Sequence, residues 1–149
     1  MAVMKTISGV ELQILIGDGV TPTEGFAHPC TINTERGVNW ETGGTDEEIP
    51  DCDDPGGMAW NVHTKTSVKG TITGNGKLDA DPVVLADFWD WLKTDDTRNV
   101  KIKVGDIGGE WAGEWKLTQW NINGTRGTVA ETSLTMVSFG EQIYTPPTP

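Results

Sequence analysis

Apolar side chains recur at every second position through six stretches of this chain, a period that commits most of it to β-strands. Val10, Leu12, Ile14 and Ile16 share one face of the first stretch. Phe26, His28, Cys30 and Ile32 share a face of the second. Pro29 has no N–H to give a ladder, so that strand is an edge, is bulged, or starts after the proline. In residues 64–76, Val68, Gly70, Ile72 and Gly74 fall on one face, with Lys65, Ser67, Lys69, Thr71 and Thr73 on the other. The alternating glycines leave room for a large aromatic ring or a helix close above the backbone. Residues 100–104 form a strand with Lys101 and Lys103 outward. Trp111, Gly113, Trp115 and Leu117 share a face of the next, after which the apolar phase switches to Trp120 and Ile122. A phase switch needs a bulge or bend, expected near Thr118 and Gln119. Asn123-Gly124 signals a hairpin turn. Residues 128–138 follow, with Ala130, Thr132, Leu134 and Met136 on one face. The segment 140–149 ends in prolines and is expected as an extended C-terminal tail, mobile in a monomer from Ile143 on.

One helix interrupts this pattern. Asp81-Pro82 pairs a capping acid with a proline at the first helical position. Leu85, Phe88, Trp89 and Leu92 then recur at helical spacing, predicting a helix over 82–93 whose aromatic face covers the sheet, with Trp91 alongside. At 149 residues the chain fits one domain, 1–149. Its expected class is mainly β: a β-sandwich or half-barrel of six to eight strands with one flanking helix.

Residues 34–60 break the alternation. They hold Glu41, Asp46, Glu47, Glu48, Asp51, Asp53 and Asp54, with no Lys or Arg after Arg36. Gly43-Gly44, Pro50 and Pro55-Gly56-Gly57 punctuate them, which argues against a helix or central strand and predicts a long loop. Long loops inside a small domain are uncommon and usually functional or disordered. The anchors Val38, Trp40, Ile49, Met58 and Trp60 favour a loop that docks on something.

The net charge of −11 repels phosphate, which disfavours tight binding to DNA or RNA. Cys30 and Cys52 are too few for a disulfide scaffold and read as reduced thiols. Residues 1–7 lack a signal-peptide core, and no run is long enough to span a membrane. His28 and His63 belong to no nucleophile motif, so no catalytic residue is assigned. Asp51, Asp53 and Gly56 resemble the start of a calcium loop, but Val62 stands where the closing Glu is required, and no metal site is assigned. Nothing selects a catalytic carboxylate pair from so many acids. Trp40, Trp60, Trp111, Trp115 and Trp120 leave one alternative, a carbohydrate-binding β-sandwich that stacks sugars on exposed rings.

The order of these segments carries a resemblance. A strand is followed by Arg-Gly-Val-Asn-Trp-Glu-Thr-Gly (36–43) and Ile-Pro-Asp-Cys-Asp-Asp-Pro (49–55). Then come Ser-Val-Lys-Gly-Thr-Ile-Thr-Gly-Asn-Gly (67–76), Phe-Trp-Asp-Trp-Leu (88–92) and a strand-turn-strand ending. This order resembles the tail tube, or major tail, proteins of long-tailed bacteriophages and related prophage particles, over about residues 10–139. The resemblance implies six copies in a ring and rings stacked into a tube through which DNA leaves the capsid. It implies a loop at 34–60 that reaches a neighbouring ring or subunit. The candidate contacts there are Arg36, Val38, Trp40, Glu41, Ile49, Asp51, Asp53, Asp54, Met58 and Trp60. Candidate lumen-facing residues are Lys65, Ser67, Lys69, Thr71, Thr73, Glu131, Ser133 and Thr135. The implied partners are further copies of the chain, a tape-measure protein, and tail tip and terminator proteins. The implied setting is the virion tail, assembled in a bacterial cytoplasm, with no cofactor and no membrane.

Overall fold

The structure is a computed structural model that describes residues 3–17, 25–29 and 32–147. Its strands are β1 (Leu12–Gly17), β2 (Phe26–Ala27), β3 (Glu35–Ile49), β4 (Trp60–Lys77), β5 (Arg98–Val104), β6 (Glu110–Asn123) and β7 (Glu131–Thr145). One helix, α1 (Pro82–Lys93), joins β4 to β5. The strands form one antiparallel sheet in the order β2-β1-β5-β6-β7-β4-β3. The mainly β fold with one flanking helix is as expected, in a single sheet that does not close into a barrel. The sheet curls far enough for an Arg36 Nη1–H near one end to donate to the Leu12 carbonyl near the other, at 3.1 Å. His28 seals the same seam. With its proton on Nε2 the ring donates to the Ile32 carbonyl (2.7 Å), and Nδ1 accepts the Ile14 N–H (3.2 Å).

The core lies on the concave face, where alternation placed it. Ile14, Val100, Ile102, Trp115, Leu117, Leu134, Met136 and Ile72 are buried, and Ile32 closes over them. The ladder between β6 and β7 slips between Leu117 and Gln119, the position of the phase switch. A second slip between Ala112 and Glu114 coincides with Gly140 of β7 at φ +78°, a conformation open to glycine at little cost. Past it the strand re-enters the ladder, pairing Ala112 with Ile143 and Glu110 with Thr145. The expected tail is therefore wrong for residues 140–145, which lie in the sheet. The expected strand over residues 26–33 shrinks to β2, which stops before Pro29. Cys30 lies outside the described residues, and Cys52 is an exposed free thiol.

Helix α1 has the predicted ends. The Asp81 carboxylate accepts the Val83 N–H at 3.0 Å, satisfying an amide that the helix leaves open. Its buried face needs a correction. Phe88 and Trp91 are buried, with Leu85 and Leu92 half-buried, whereas Trp89 is 55% exposed. Trp91 is preferred because it has more to meet. Arg98 lies 5.0 Å above its ring, and its indole N–H donates to the Asp96 carbonyl at 3.2 Å. Phe88 packs on Trp120 at 5.7 Å between ring centres.

Arg98 also forks onto Asp87, with nitrogen–oxygen distances of 2.8 and 2.7 Å. That hydrogen bond, aided by the guanidinium charge against a smaller opposing cost of burial, holds the Asp87 carboxyl below its usual range. A lowered folded-state pKa stabilises the fold above the ordinary value of 3.8, and the gain is lost as pH falls through the folded value. Asp87 is 56% exposed, so the contribution is small, on the order of 0.5 kcal/mol. Asp87→Asn is expected to lower thermal stability slightly at pH 7, with wild type and variant converging below pH 3.8.

Candidate assembly interface

The stretch predicted as a loop over 34–60 is mostly strand. β3 and β4 pair from Glu35 with Asn75 to Ile49 with Trp60, broken only where Thr66 is skipped, leaving residues 50–59 as the turn. The sequence pattern missed this because alternation reports a buried face, and this hairpin has none beyond its base. Residues 41–69 are all exposed. The ladder of β4 with β7 begins only at Thr71, so the distal hairpin pairs with itself alone. It is an arm that stands off the body. Pro50 and Pro55 fall in the turn, where they interrupt no ladder. Gly43 and Gly44 sit at the one slip in register, where a side chain on Gly43 would meet the Ser67 hydroxyl.

The root of the arm is fixed by aromatic packing. Trp40 lies 6.1 Å from Trp115 and 5.9 Å from Trp111, which in turn lies 4.8 Å from Tyr144. Gly70 makes this possible: a Cβ there would stand 2.7 Å from both Trp40 and Trp115. The room expected above the glycine face is thus filled by two indoles.

Beyond the slip the arm has two unlike faces, set by its register. Asp46 opposes His63, and Glu48 opposes Asn61, on one face. The Asp46 carboxylate lies 2.6 Å from His63 Nδ1. Glu47 opposes Val62 and Ile49 opposes Trp60 on the other. Ile49 is 52% exposed, Trp60 76% and Met58, in the turn, 92%. In the turn Asp51 accepts the Asp53 N–H at 2.9 Å on its carboxylate and the Asp54 N–H at 3.2 Å on its carbonyl. The Asp51 carboxylate thus fixes the local chain geometry of the turn. Among the described residues no group of three or more acidic, His or Cys side chains is arranged to hold a metal.

The candidate contact residues thus divide. Glu41, Ile49, Asp51, Asp53, Asp54, Met58 and Trp60 lie on the exposed arm or its turn. Arg36, Val38 and Trp40 do not: Arg36 turns inward to the β1 seam, and Val38 and Trp40 pack at the root. Sequence reasoning missed Val62, which becomes visible once Pro50 and Pro55 are read as the two sides of a turn. Four of the eight candidate lumen residues gather on the body of the sheet. Cross-strand pairs place Thr71, Thr73, Ser133 and Thr135 on the convex sheet face, with Lys69 continuing it onto the arm. Glu131 is held by Lys77 at 2.8 Å. Lys65 and Ser67 lie on the arm beyond the body of the sheet.

A small curled sheet that projects an uncovered, partly apolar two-stranded arm defines a structural protein built to meet other chains. An isolated hairpin is marginal in water and gains its stability by being covered. The sequence profile of the phage tail tube proteins matches residues 6–143, so the chain belongs to the phage tail tube protein family. It is a structural component of the tail of phage-type particles. The tail of an empty gene transfer agent particle, solved with C6 symmetry, is similar at a TM-score of 0.71 and 16% identity, covering 94% of this chain and 99% of that one. The SPP1 tail tube is similar at 0.64 and 11%, covering 96% and 81%. A chain in the baseplate of the anti-feeding prophage is similar at 0.61 and 11%, covering 97% and 98%. At these identities the structures share the fold. No curated protein sequence matches the chain significantly.

Proposed function

We propose that this chain is the repeating subunit of a tail tube. Six copies close a ring, rings stack, and the channel conducts DNA from capsid to host cell. The observation that carries this reading is the uncovered arm on a tail tube fold, joined to the likeness with a tail solved under C6 symmetry. In the tube the arm reaches a neighbouring copy. The end of the convex face bearing Thr71, Thr73, Ser133 and Thr135, beyond the Leu117–Gln119 slip from Ala112 and Ile143, lines the channel, where hydroxyl groups offer phosphates little to hold. The edge of β3, with no strand beyond it among the described residues, is available for strand addition by a neighbour. The role is structural, with no chemistry, cofactor or membrane. A tape-measure protein fills the channel during assembly in the host cytoplasm, and tip and terminator proteins close its ends. Placing Trp115, Trp91 and much of Trp120 inward weakens the carbohydrate alternative, which needs a row of exposed rings. Negative-stain microscopy of concentrated protein is expected to reveal six-fold rings or tubes. A chain that stays monomeric at every concentration and binds a glycan array would overturn the reading.

A further inference from the structure

We propose that the arm tip of one copy seats on a basic and apolar strip of a second copy's sheet, the row Leu15, Lys101, Ala112 and Ile143. This rests on the reading of the arm as an inter-subunit contact and names its receptor. The register builds the strip. Leu15 opposes Lys101, Lys101 opposes Ala112, and Ala112 opposes Ile143, so four adjacent strands contribute one continuous row. Lys103 stands in the next row. The strip is on the convex face, whereas α1 packs on the concave one through Phe88 and Trp120. Ile143 is 59% exposed, and nearby Phe139 is 50% exposed.

Charge selects the occupant. Among the described residues Lys101 has no carboxylate partner; its ammonium lies 4.3 Å over the Phe26 ring. Lys103 has only a loose contact with the 96%-exposed Asp106, at 3.5 Å, and Glu110 across the ladder. The arm holds seven acids and no Lys or Arg between residues 37 and 64. Its Ile49, Trp60 and Val62 face supplies the apolar complement to Ile143 and Phe139. Seating this face would cover Trp60, the side-chain type that most often anchors an interface. The arm does not lie on its own strip, since its distal residues pair only with each other. Nine residues of extended chain carry the tip about 30 Å from the root. Tip and strip are different surfaces, so the contact is head-to-tail, the kind that generates rings and filaments.

The test uses the full chain with a photo-crosslinking amino acid in place of Ile143. Unlabelled crosslinker protein is co-assembled with isotope-labelled wild type, so that only contacts between copies are scored. Crosslinks are expected within residues 46–62 of the labelled copy. In parallel, Lys101→Glu with Lys103→Glu is expected to raise the concentration needed for tube growth about tenfold or more. Adding Glu47→Lys, on the same arm face as Val62 and Trp60, to that chain is expected to restore part of the loss, with circular dichroism confirming folded subunits throughout. Crosslinks that fall elsewhere, or an unchanged threshold for the double lysine variant, would overturn the strip as receptor. If the arm-less chain described below also fails to assemble, the arm reading survives and only the receptor is lost. If the arm-less chain still forms tubes, the arm reading itself fails.

Discussion

Joining Gly44 to Lys65 through a two-residue Asn-Gly turn is expected to give a folded protein that forms no tubes. Gly44 and Lys65 are direct partners in the β3–β4 ladder, so a tight hairpin turn closes the shortened strands at that point. The deletion takes Thr45 through Thr64, all of them exposed, and touches no core residue. Every pair from Gly43 with Ser67 back to Glu35 with Asn75 remains, as does the whole β4–β7 ladder. A two-stranded hairpin adds little stability by itself. The melting temperature should therefore stay within about 4 °C of wild type. Assembly should fail outright, because Ile49, Met58, Trp60 and Val62 leave together and with them the apolar surface that association would bury. Light scattering after size exclusion, thermal denaturation and microscopy read the three expectations separately. A folded arm-less chain that polymerises at the wild-type concentration would remove the arm from the assembly mechanism. Cutting only residues 42–54 is a poorer experiment, since it strips β3 and leaves β4 with an unpaired edge.

The sequence made most of the body legible because burial leaves a period. The ends of α1, the bulge after Leu117 and the crowding over Gly70 could each be read from residue types and spacing. What stayed hidden is what burial does not mark. Residues Glu35–Ile49 form a strand with little inward face beyond Val38 and Trp40, so Gly43-Gly44 reads as a breaker when it sits at a slip in register. The reach of β7 past Gly140 was obscured for a related reason. Gly140 and the bulge beside it interrupt the ladder, although Tyr144 keeps the phase of Leu134 and Met136, and the terminal prolines point toward a tail. On α1, Trp89 and Trp91 flank the Phe88 face, and helical spacing does not choose between them. The choice depends on Arg98 and Asp96, which arrive from beyond the helix. The arm stands out in the sequence through its acids and through Ile49, Met58 and Trp60, apolar residues outside any alternation. Its two faces needed the register, because Val62 opposes Glu47 only once the turn is fixed at residues 50–59.

The second large effect is expected at Trp115, whose replacement by alanine should cost about 3–5 kcal/mol of folding stability. Trp115 is fully buried, and its neighbours cannot close the space it would leave. Gly70 has no side chain to move in, and Trp40 is tied to Trp111 on its other side. The indole N–H donates to the Gln142 side-chain oxygen at 2.9 Å, and Gln142 in turn donates to the Glu114 carbonyl at 3.1 Å. Losing the indole therefore also frees a link that holds β7 beside β6 past the Gly140 bulge. Against a total of about 5–15 kcal/mol for a domain, this loss leaves the fold marginal. Trp115→Phe separates the two contributions: it keeps most of the apolar contact, loses the hydrogen bond and should cost about 1–2 kcal/mol. Urea denaturation reads both, and an unchanged slope would confirm that the native body and the unfolded chain remain comparable. The consequence for assembly follows from the position of Trp40. That ring rests on Trp115, and the arm leaves the body at the next residue, so a cavity at 115 loosens the direction in which the arm points. Trp115→Phe at a temperature where it is fully folded should then still form tubes, at a raised threshold concentration. A threshold equal to wild type would mean that the arm takes its orientation from the neighbouring subunit and needs no aim from its own core.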